Sequence, residues 1–82
     1  MMSTLRELDA RVRVAFLARQ QADELLDRSR MAYREAQAGA GDVEERLLAY
    51  EQAREHWTAA DAAYTRAYAQ REQVRREQEA GR

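Results

Sequence analysis

Small and apolar residues recur through the first half of the chain in alternating steps of three and four: Leu5, Leu8, Val12, Ala15, Ala22, Leu26, Ser29, Tyr33 and Ala36, interrupted by Arg19. At about 100° per residue those positions fall on one stripe of an α-helix. Thr4-Leu5-Arg6-Glu7, at the head of the stripe, reads as a capping box: the Thr4 hydroxyl can accept from a free amide and Glu7 can reach back. The pattern predicts a first helix over residues 4–38, starting near Ser3 or Thr4, that stops where Gly39 can take the left-handed conformation. Roughly 35 residues make a rod of about 50 Å.

The second half repeats the arrangement. Val43, Leu47, Tyr50, Ala53, Trp57, Ala60, Tyr64, Ala67 or Tyr68, Arg71 and Val74 form its stripe, and Asp42-Val43-Glu44-Glu45 supplies an N-cap with acidic residues at the positive helix end. A second helix is predicted over 42–78, a turn over 39–41 and a frayed polar tail over 79–82, all within one domain of residues 1–82. So short a connection makes the two helices antiparallel neighbours, in a register where facing residue numbers add to 79 or 80. Bulky residues then meet small ones, as Ala22 meets Trp57, Ala15 meets Tyr64 and Ser29 meets Tyr50. The expected seam comprises Leu8, Val12, Ala15, Ala22 and Leu26 on the first helix and Leu47, Tyr50, Trp57, Tyr64 and Tyr68 on the second.

Composition agrees with an all-α fold. There is no proline, Gly39 and Gly41 sit together at the midpoint, and 17 alanines accompany abundant Glu, Gln, Arg and Leu. With no cysteine, no disulfide framework or thiolate chemistry is available. All 14 basic residues are Arg, and Lys, Asn and Ile are absent, a bias expected of a GC-rich bacterial or phage genome. Pairs such as Glu7 with Arg11, Asp9 with Arg13, Glu24 with Arg28 and Asp42 with Arg46 support solvated helix faces. Residues 1–13 already carry five charges and the chain has no long apolar run, so neither a signal peptide nor a membrane span is expected, and the location is read as cytoplasmic, or virion if phage-encoded.

One seam buries a narrow stripe per helix, too little to offset the ordering of so many residues. Apolar residues also lie off the stripe: Val14, Phe16, Leu17 and Leu25 on the first helix, Leu48 on the second, with several alanines beside them. They are the candidate protein interface. The expected architecture is an antiparallel two-helix hairpin, coiled-coil-like, that assembles into a four-helix bundle or higher oligomer. The expected partner is a second copy, a larger protein, or both.

The search for chemistry is mostly exclusion. His56 is the only histidine, and its helical neighbours Gln52, Ala53, Ala59 and Ala60 offer no ligand, so the Glu-x-x-His signature of helical di-iron proteins is missing. Across the hairpin, Asp23, Glu24 and Asp27 are placed near His56 and are read as salt-bridge partners. Gly39-Ala40-Gly41 neither follows a strand nor carries a Lys, so it is no phosphate loop. Arg11, Arg13 and Arg19, and Arg71, Arg75 and Arg76, are interleaved with acids in a chain of net charge -1, which argues against nucleic-acid binding. No catalytic residue, metal or cofactor is expected.

Tyr68-Ala69-Gln70-Arg71-Glu72 fits the Tyr-x-x-x-Asp/Glu signal late in the second helix of the small hairpins exported by type VII secretion, and the two-helix shape resembles that family. The resemblance implies export and a related partner. The family's Trp-x-Gly turn is here Gly39-Ala40-Gly41, and the only tryptophan, Trp57, lies well inside the second helix. The reading favoured by the residues is a non-enzymatic interaction or assembly module, with a small inhibitor that occludes a larger protein and a type VII hairpin as alternatives.

Overall fold

A computed structural model describes residues 4–81. They form two helices, α1 (Leu5–Gln37) and α2 (Val43–Ala80), packed against each other as an antiparallel hairpin. Both N-caps follow from the capping residues: the Thr4 hydroxyl accepts from the Glu7 amide at 3.1 Å, and the Asp42 carboxylate from the Glu45 amide at 3.2 Å. Ser3, the other candidate start, lies outside the described residues.

The end of α1 closes as a Schellman motif. The Ala40 amide donates to the Glu35 carbonyl and the Gly39 amide to that of Ala36, with Gly39 at φ 101°. Only a residue without a Cβ takes that conformation cheaply, which is why the chain turns here. The far end differs from expectation, since α2 continues past residue 78 to Ala80. The last turns are held by Gln73 to Glu77 and Arg75 to Glu79 contacts at helical spacing, and the Gly81 amide closes on the Glu77 carbonyl.

Cross-hairpin contacts fix the register. Asp9 with Arg71, Phe16 with Tyr64, Arg19 with Asp61 and Asp23 with Trp57 all join residues whose numbers add to 80. The seam repeats every seven residues: Leu8, Ala15, Ala22, Ser29 and Ala36 form one row of α1, and Tyr50, Trp57, Tyr64 and Arg71 one row of α2. This is the period of a coiled coil.

The enclosed core is small. Among the described residues Leu8, Val12, Ala22, Ala36 and Ala53 are buried, three of them alanines, while Ala15, Leu26, Leu47, Tyr50, Trp57 and Tyr64 are half-buried. Tyr68 departs from the expected seam: it is 44% exposed, and the half-buried Ala67 takes the inward position. Ala67 continues a seven-residue row on α2, Ala53, Ala60, Ala67 and Val74, that is buried or half-buried throughout, whereas Tyr68 lies about 100° further round, on the ladder side of that row. The molecule measures 64 × 19 × 14 Å, with a radius of gyration of 18.3 Å against about 12 Å for a compact domain of this length.

Candidate interaction surface

The two broad faces of the hairpin are unlike. Over one, a ladder of charged and aromatic side chains bridges α1 and α2. Arg71 lies 3.5 Å from Asp9 and stacks 4.9 Å from the Tyr68 ring centroid, Tyr68 neighbours Tyr64 at 6.2 Å, and Tyr64 meets Phe16 at 6.0 Å. Arg19, the interruption in the α1 stripe, reaches Asp61 at 3.1 Å and sits over both Trp57 and Tyr64. Its Nε lies close to the carboxylate without an aligned hydrogen bond, so the contact is an ion pair assisted by the rings. The Trp57 indole N–H donates to Asp23. Nearer the turn, Tyr33 and Tyr50 stack at 6.1 Å with nearly parallel rings.

The ladder explains why Arg and Asp appear at positions where a simple apolar stripe would have none. Arg19 with Asp61 and Arg71 with Asp9 pair across the two helices, and both guanidinium groups also lie over aromatic rings. Asp23 is occupied by Trp57, Asp27 pairs with Arg30 and Glu24 with Arg28, so none of the three carboxylates expected near His56 is directed to it. Among the described residues no group of three His, Cys, Asp or Glu side chains is arranged to hold a metal ion. A groove at the open end, lined by Thr4, Leu8, Arg11, Gln70, Gln73, Val74, Glu77 and Gln78, is wide open to solvent.

The five residues expected at a protein interface are all exposed, from Leu25 at 45% to Val14 at 67%. They do not share one face. Phe16 belongs to the ladder through Tyr64, Leu17 is one residue further round and points away from α2, and Leu48 lies on the outward side of α2. Val14 and Leu25, eleven residues apart, share the side of α1 turned away from the ladder. Met31, exposed to 60%, is a further large apolar residue outside the expected interface set, two seven-residue steps beyond Leu17 on the outward side of α1. No described helix is long and apolar enough to cross a membrane. No protein-family model matches this chain, and no curated protein and no solved structure matches it significantly.

Proposed function

We propose that this chain is a non-catalytic assembly module whose hairpins associate with one another through a helical face to complete a four-helix core. The surface area carries the reading. The single chain exposes 6655 Å2, whereas a compact monomer of 9.5 kDa exposes about 5,000 Å2. Two separate hairpins becoming one compact particle of about 19 kDa would remove about 4,900 Å2 from water in total, within the range of obligate homodimers. Among the described residues eight large apolar side chains are exposed and only five residues are buried, which is consistent with a further helical surface being covered on association.

Light scattering after size exclusion, followed through a dilution series together with helicity by circular dichroism, tests this. The expected result is a helical dimer or larger closed oligomer that loses helicity as it dissociates. A fully helical 9.5 kDa monomer at every concentration overturns the proposal. A poorly helical monomer overturns it too, and assigns the apolar surface to a different protein.

A further inference from the structure

We propose that the hairpin is one of two states of this chain, and that it opens at residues 38–42 into a single long helix that pairs with the same helix of a second copy, α1 of each chain packing on α2 of the other. The exchange uses the seam already formed between α1 and α2 and no face of the closed hairpin, so it stands apart from the four-helix reading above.

The seam keeps one phase across the turn. Leu8, Ala15, Ala22, Ser29 and Ala36 follow one another every seven residues, and Val43, Tyr50, Trp57, Tyr64 and Arg71 continue the same count without a break. All of them are buried or half-buried except Val43, beside the turn. A hairpin has no need of this continuity, because a turn can bring two stripes together whatever their phase. A continuous helix does need it, since only then does one row face one partner from end to end. The second row of the seam changes flank, from four residues past the shared row in α1 (Val12, Arg19 and Leu26) to three past it in α2 (Ala53, Ala60 and Ala67). The centre of the stripe thereby moves by about 50°, which a drift of about 20° per seven residues takes up within three heptads.

Register and chemistry carry over as well. Facing residues add to 79 or 80, so a two-fold axis at Gly39 and Ala40 turns each contact within a chain into a contact between chains. Asp9 with Arg71, Phe16 with Tyr64, Arg19 with Asp61 and Asp23 with Trp57 each form twice, once in each half of the pair. The seam is therefore common to both states, and the turn decides between them. Residues 38–42 read Ala-Gly-Ala-Gly-Asp, with no proline or β-branched residue to bar a helix. Gly39 and Gly41 are the positive-φ residues among those described, at 101° and 149°, and Asp42 is extended. The two glycines hold the chain closed twice over: they take the turn without strain and they weaken a helix through it. Helix from residue 5 to residue 80 would measure about 114 Å, against 64 Å for the hairpin, so the exchange switches a short rod for a long one.

The test removes the glycines and then varies the phase. In the full chain carrying Gly39→Ala and Gly41→Ala, four glycines per dimer are replaced, each worth about five-fold in a helix, so the dissociation constant of the long dimer is expected to fall at least about 500-fold. Light scattering gives the mass and small-angle X-ray scattering the length: the exchanged dimer is expected near 114 Å, whereas closed hairpins laid side by side remain near 64 Å. Two alanines inserted after Ala40 in the same variant keep its helix propensity but turn the α2 row about 200° away, and are expected to abolish the long dimer. Seven inserted alanines bring the row back into phase and are expected to restore it, about 10 Å longer. A glycine-free variant that stays monomeric at every concentration, folded or not, overturns the proposal, as does one whose dimer is no longer than the hairpin. A long dimer that forms equally well with two and with seven added alanines overturns it too, because phase would then play no part.

Discussion

Ala22 is 1% exposed and lies between α1 and α2 at the level of Trp57, in a seam where three of the five buried residues are alanines. Alanine rows let two helices approach closely, and in Ala22→Leu three further carbons would have to enter space already filled at the density of a protein interior. Overpacking of that kind costs about 1–3 kcal/mol. Leucine is nearly as good a helix former as alanine, so the loss cannot come from propensity. For a domain of this size about 1 kcal/mol lowers the melting temperature by roughly 4–8 °C, so a fall of at least about 4 °C is expected. The control is Ala10→Leu, at an exposed position on the same helix, which should melt within about 2 °C of wild type. Thermal melts followed by circular dichroism at one fixed chain concentration provide the comparison, because association shifts apparent stability. Equal melting temperatures for Ala22→Leu and Ala10→Leu would refute the close approach of the helices at Ala22, and with it the register that places Trp57 there.

Other perturbations test separate parts of the hairpin. Trp57→Phe removes the indole N–H that Asp23 accepts, and Asp23→Ala removes the acceptor; each should cost about 1 kcal/mol or more, and the double variant should fall short of the sum by at least about 0.5 kcal/mol in urea titrations. Strict additivity would mean that the bond contributes nothing. Gly39→Ala meets no neighbouring atom, so its cost is that of the left-handed backbone alone, about 1–2 kcal/mol by the same titration; an unchanged midpoint would refute the Schellman geometry. Asp42→Ala removes the α2 cap and should cost about 1 kcal/mol, with Asp42→Ser restoring most of it.

The amino-acid sequence by itself determined the two helices, their capped starts, the glycine turn and the antiparallel register. Each of these is set by local chemistry or by a period: Thr4 and Asp42 satisfy the amides next to them, Gly39 takes a conformation that other residues avoid, and a three-four repeat defines a stripe wherever the helix lies. Tertiary structure decided what each side chain off that stripe does. Phe16 and Val14 look equally available in the sequence, yet Phe16, although 48% exposed, reaches Tyr64 across the hairpin, while Val14 at 67% exposure has no aromatic neighbour there. Arg19 interrupts the stripe in sequence and serves the fold in three dimensions, because Asp61, Trp57 and Tyr64 on the other helix supply its counter-charge and its stacking surface. Spacing offers Ala67 or Tyr68 to the stripe and size matching favours Tyr68 for the seam, whereas the fold encloses Ala67 and leaves Tyr68 exposed. A three-four pattern leaves positions three and four residues on, about 100° apart, both eligible for a narrow seam, and the facing helix decides which of them is enclosed.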